Sequence, residues 1–143
     1  MAGGKGSTFE NALLQLIFNA TAIANIAQNG TSPLTNLYVA LHTASPGAGG
    51  SQTTSEAAYT SYARVAIART SGGWTISTNS VTPNSTISFP AATGGSETET
   101  YFSVGTASSG AGEILYWGPL SSNIVVTSGV TPQLTTATNV TES

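Results

Sequence analysis

The chain has 143 residues, of which three are Lys or Arg, six are acidic, one is His and none is Cys. Disulfides and thiolate metal sites are therefore excluded, and three cations cannot form the basic stripe that binds nucleic acid through its phosphates. The length admits one domain with a real core.

Charged residues make up 6% of the chain, against roughly 25% in an average soluble domain. Ser, Thr, Asn, Gly and Ala take their place, and a net charge of −3 is too small for disorder driven by charge repulsion. Hydroxyls, amides and small apolar groups are cheaper to desolvate than charges. The composition points to an assembly component whose surface neighbours cover; a free β-domain with a Ser/Thr-rich surface is the competing reading. The longest apolar stretch, Leu13–Phe18, is too short to span a bilayer. MAGGKGSTFE lacks the apolar region of a signal peptide.

Residues 1–6 read as a flexible Gly-rich arm and residues 7–143 as a single β-rich domain. Ser7 and Glu10 form a capping box, which starts a helix expected to run to about Gln28 and stop at Asn29-Gly30. Phe9, Leu13, Leu16, Ile17, Ala20, Ala24 and Ala27 make one apolar stripe, with Phe9, Leu13 and Ile17 as its expected core. Leu14, Phe18, Ala22 and Ile26 make a second stripe, available to the core or to another subunit. Leu37–His42 alternates as a strand. Ser45–Gly50 is an irregular loop, Glu56-Ala57-Ala58 a short helical turn, and Tyr59–Thr70 a long strand suited to the middle of a sheet. Shorter strands are expected at Trp74–Thr78, Thr86–Phe89, Thr98–Gly105, Gly112–Trp117 and Ile124–Val126, with Gln133–Val140 extended at an edge. Turn signals, among them Pro83-Asn84 and Gly118-Pro119, separate them at the cadence of an antiparallel sandwich or barrel. The fold class is mainly β, a sandwich- or barrel-like domain with one N-terminal helix.

The residues offer little catalytic chemistry. His42 has no second His, Cys or Asp to share a metal with. No Gly-x-Ser-x-Gly elbow is present, so His42 reads as an anchor for the loop that follows it. Glu97 and Glu99 share a strand face, as a glycosidase pair would, but the preceding Gly94-Gly95 turn favours a solvated charged face. Arg64 and Arg69 sit in an apolar strand and require carboxylate or carbonyl partners, for which Glu56 and Glu113 are available. Trp74, Trp117 and the five Tyr could line a sugar-binding face, although such residues more often fill a sandwich core and rim. No catalytic, metal-ligating or cofactor-binding residue is assigned. Tyr62, Arg64, Arg69, Pro46 and Gly47 are the candidate anchor and interface positions, and the loop Ser45–Thr54 and the two termini are the candidate partner contacts.

The wording LYVALHTASPG, QTTSEAAYTSYARVAIART, ISFPAATGG and ILYWGPLSS, spread from about Leu34 to Leu134, resembles a family of small virion proteins of tailed bacteriophages. Members are loosely labelled tail-fibre proteins, and some small phage proteins of this kind act as capsid cement. The resemblance implies a non-enzymatic virion component assembled in the host cytoplasm, with other virion proteins as partners and self-association, a trimer above all. Head cement bridging major capsid subunits is the leading expectation. A tail, baseplate or fibre component involved in attachment is the alternative, and a carbohydrate-binding module is a third class.

Overall fold

A computed structural model describes residues 7–23 and 33–142, with side chains from residue 10 onward in the helix. The expected arm 1–6, the helix continuation through 24–28, the Asn29-Gly30 stop and the Phe9 side chain lie outside these residues. The elements in chain order are α1 (Ser7–Asn19), β1 (Asn36–His42), β2 (Val65–Ala68), β3 (Trp74–Ser77), β4 (Ser80–Pro83), β5 (Ile87–Ser88), β6 (Ser96–Gly105), β7 (Ile114–Thr127), β8 (Gln133–Leu134) and β9 (Val140–Thr141). The protein is mainly β with antiparallel pairing and one N-terminal helix, as expected. None of its sheets, among the described residues, closes into a barrel. The backbone sorts into two compact units.

The described residues of the first unit are 7–23, 33–35, 68–86 and 135–142. Here α1 packs on the sheet β3-β4-β9. Leu14 and Phe18, one helical turn apart, are fully buried, and the Phe18 ring meets Trp74 edge-on with centroids 4.7 Å apart. Leu14 and Phe18 of the second apolar stripe are therefore core, whereas Ala22 of that stripe is exposed and Leu13, Leu16 and Ile17 of the first are only half-buried. α1 stops at Asn19, nine residues before the expected end, so Ala20 of the first stripe and Ala22 of the second both fall beyond it. Ala20 takes a left-handed φ of 54°, and the Thr21 N–H turns back to the Gln15 carbonyl.

Thr78 occupies the β3–β4 hairpin with a φ of 57°. A β-branched side chain is strained there. Thr78→Asn is expected to raise stability by roughly 0.5–1 kcal/mol, since Asn tolerates this region better; equilibrium urea denaturation reads the change, and a loss of stability would refute it.

The second unit holds residues 36–67 and 87–134. Its main sheet has the order β2-β1-β6-β7, and β5 pairs with β8 beside it. The β1–β6 register sets Val39 opposite Val104 and Leu41 opposite Phe102, which together with Leu37 form one buried face. The other face carries His42, Ser103, Tyr101 and Trp117.

Three expectations need correction here. Tyr59–Thr70 is not one long strand: only Val65–Ala68 is extended in the sheet, and it lies at the edge. Ser61 has a φ of 80°, Tyr62 N–H bonds back to the Tyr59 carbonyl, and Thr60 bridges to Gly94, so Tyr59 and Tyr62 turn inward three residues apart. Glu56-Ala57 is not helical but pairs with the end of β1, where Ala57 N–H donates to the Leu41 carbonyl at 2.9 Å. Gly118-Pro119 is no turn either. β7 runs through it for 14 residues, and the strand absorbs the irregularity as an excursion, with Leu120–Asn123 opposite Thr100 alone. Proline is tolerated because β7 is an edge strand.

Candidate functional site

The stretch from β1 through residue 64 is held by four polar devices, each using one of the chain's few charged or buried polar groups. The first centres on Arg64. Its Nε and Nη2 donate to the two oxygens of Glu56 at 2.6 and 2.8 Å, a bidentate fork. Nη1 donates to the Ala107 carbonyl at 2.9 Å and Nη2 also to the Gly110 carbonyl at 2.7 Å. Tyr62 completes the network: its hydroxyl donates to Glu56 at 3.0 Å and accepts the Leu41 N–H at 3.1 Å. The Arg64 side chain is 2% exposed and that of Glu56 15%. Burial pushes the Tyr62 phenol up, and the Glu56 hydrogen bond holds Arg64 protonated. The guanidinium thus ties the Glu56 segment, the sheet and the loop before β7 together.

His42 is the second device. It is fully buried, with Nδ1 2.9 Å from the Thr54 carbonyl and Nε2 2.8 Å from the Ser103 hydroxyl. The carbonyl can only accept, so Nδ1 carries the proton and Ser103 donates to Nε2. Burial lowers the His42 pKa and favours this neutral form. The Ser–His distance is that of a hydrolase dyad, but both side chains are fully buried and Nδ1 meets a backbone carbonyl in place of a carboxylate. His42 anchors the following loop, as its sequence position suggested.

Gln52 was not legible as a functional position. Its side chain is fully buried over Gly105 and Gly112, where a Cβ would come within 2.2 Å of it. Oε1 accepts the Ala107 N–H at 2.9 Å and Nε2 donates to the Tyr38 carbonyl at 3.3 Å. Gly105 and Gly112 are thus the seat of this amide.

The fourth device is the Glu97–Glu99 pair, and it corrects the expectation of a solvated face. Glu97 Oε1 accepts the Ala58 and Tyr59 N–H groups at 2.7 and 2.8 Å. Glu99 is fully buried and no donor reaches either of its oxygens. Burial first, then the neighbouring Glu97 carboxyl, pushes its pKa up to about 8. At neutral pH Glu99 is therefore held as a neutral acid. Tyr59 senses the same pair: burial and the two carboxyls raise its phenol to about 12. A glycosidase pair must reach a sugar, and Glu99 does not reach the surface.

The remaining candidate positions make none of these network hydrogen bonds. Arg69 belongs to the first unit, where Nε and Nη2 donate to the Ile17 and Leu16 carbonyls and Nη1 to the Leu34 carbonyl at 3.2 Å. A cation on the last carbonyls of a helix satisfies orphan acceptors and opposes the dipole, which accounts for where α1 ends. Pro46 is buried and Gly47 half-buried with a φ of 70°. The structure therefore brings Tyr62 and Arg64 together and leaves Arg69, Pro46 and Gly47 elsewhere.

Among the described residues, no three His, Cys, Asp or Glu side chains are grouped to hold a metal, and no helix is long and apolar enough to cross a membrane. Trp117 stands out on the surface at 40% exposure, tilted against Tyr101 with ring centroids 6.1 Å apart.

Comparison with curated proteins finds no significant match. A family model described as podophage GP4 fiber I protein gp80 matches residues 5–141, nearly the whole chain. The expected kinship with small, tail-fibre-like virion proteins of tailed phages is thereby met. The chain belongs to the podophage GP4 fiber I protein gp80 family, a family of phage fibre structural proteins.

Proposed function

We propose that the protein is a structural component of the tail-fibre apparatus of a podophage, acting in attachment without catalysis. The family match over residues 5–141 carries this reading, and it supports the fibre alternative over the head-cement expectation. The internal chemistry is compatible with it: the buried polar and ionisable groups brace loops against the sheet, and His42 and Glu99 lie out of reach of any solute. The charge-poor surface suits burial against other virion proteins and against copies of the chain, with a trimer as the expected state.

Quantitative mass spectrometry of purified particles tests the assignment. Copy number far below that of the major capsid protein, with antibody label on the tail, is the expected result. A ratio near parity with label on the head would overturn it in favour of cement.

A further inference from the structure

Residues 52–59 lie over the sheet face that carries His42, Ser103, Gly105 and Glu97, as the Gln52, His42 and Glu97 contacts show. The same face continues outward onto β7, where Trp117 stands opposite Ser103 and Pro119 opposite Tyr101. There the cover ends. Trp117 and Pro119 are exposed and Tyr101 is half-exposed. Three ring systems from adjacent strands thus form a small apolar platform at the sheet margin.

Two observations narrow what it takes. The β7 edge is poorly suited to adding a strand: Pro119 has no N–H to give, and the excursion at Leu120–Asn123 breaks the ladder. No charged residue among the described residues belongs to the platform, and both Arg side chains are committed to internal partners. Among the described residues an anionic ligand would find no counter-charge. The next residues along β7, Ser121, Ser122 and Asn123, are exposed and supply hydroxyl and amide groups. Flat aromatic faces beside neutral hydrogen-bonding groups match the two-sided chemistry of an uncharged sugar ring, apolar C–H on its faces and hydroxyls at its rim.

We propose that Trp117, Tyr101 and Pro119 form a binding platform for neutral glycans. The fibre reading is needed only to say that the glycan is met on a cell surface; binding itself is a property of the purified chain.

The full-length protein is tested on an array of neutral and acidic oligosaccharides, with affinities for array hits measured by Trp fluorescence titration. Neutral glycans are expected to bind. Trp117→Ala should weaken them about tenfold or more, and Trp117→Phe should retain most of the affinity, with unchanged thermal unfolding in both. No binding on the array, preference for acidic glycans, or full affinity in Trp117→Ala would each overturn the platform. Loss of capture of another virion protein by Trp117→Ala, without glycan binding, would reassign the patch as a protein interface. Particle copy number is independent of all these results, so failure of the platform and failure of the fibre reading remain distinguishable.

Discussion

Glu99→Gln is expected to raise stability at pH 8 and to abolish a fall in stability that the native protein shows above pH 6.5. The folded-state pKa of Glu99, about 8, lies above its ordinary value of 4.5. The unfolded chain therefore gives up this proton first. Between those values the native state binds more protons than the unfolded state, so stability declines as pH rises, by at most about 1.4 kcal/mol per pH unit. The stabilising contribution is complete below pH 4.5 and gone once the pH has passed about 8. His42 acts in the opposite sense: its folded pKa lies below 6.5, so acid favours unfolding from about that pH downward. The two slopes oppose each other below pH 6.5, and above it the Glu99 slope stands alone. Glu97 and Tyr59 are the other titratable groups that interact with Glu99. Urea denaturation at pH 5, 6.5 and 8 provides the reading. Gln fills the same volume without ionising, so the variant should keep the acid limb and lose the alkaline one. An unchanged slope between pH 6.5 and 8 would show that Glu99 is not the group responsible.

The second large effect is expected at the Arg64 network. Glu56→Ala removes the carboxylate from a guanidinium that is 2% exposed and leaves that charge without its counterion. Such a loss typically costs about 3–5 kcal/mol. It also strips the Tyr62 hydroxyl of its acceptor, which loosens the turn at Ser61. The double variant Glu56→Ala with Arg64→Met should lose less than the sum of the two single changes, because neither leaves a bare charge once the other is made. Thermal and urea unfolding of all four proteins give the coupling energy. A cost below about 1 kcal/mol for Glu56→Ala would place the pair among exposed salt bridges and remove its bracing role.

Much of this was legible because the chain has so few charges. An Arg in an apolar strand with Glu56 nearby had to find a partner, and a lone His after a strand had to be satisfied. The elements that misled share another cause: partners distant in sequence. Nothing within residues 7–28 indicates that α1 stops at Asn19, since its last carbonyls are held by Arg69, some 50 residues later. The alternation of Tyr59–Arg64 imitates a strand, yet Ser61 takes a left-handed φ so that both tyrosines and the guanidinium turn inward. Gly118-Pro119 carries a turn signature that the edge position of β7 overrides. For Glu99 the signal was present: Glu97 and Glu99 alternate with Thr98 and Thr100, so one face of β6 had to take carboxyls. Which face the loop would cover was not readable from β6 alone. The close approach of Gln52 to Gly105 and Gly112 was not read from the sequence, because the amide comes from a loop more than 50 residues earlier.

Because the Arg64 side chain is 2% exposed and that of Glu56 15%, mobile ions have little access to the fork between them. Salt weakens ion pairs that it can surround, over a Debye length of about 8 Å at physiological strength. With so few charges left on its exterior, this fold gains and loses little as ionic strength changes. Its unfolding midpoint is therefore expected to change little between low salt and physiological salt, a comparison that thermal unfolding makes directly.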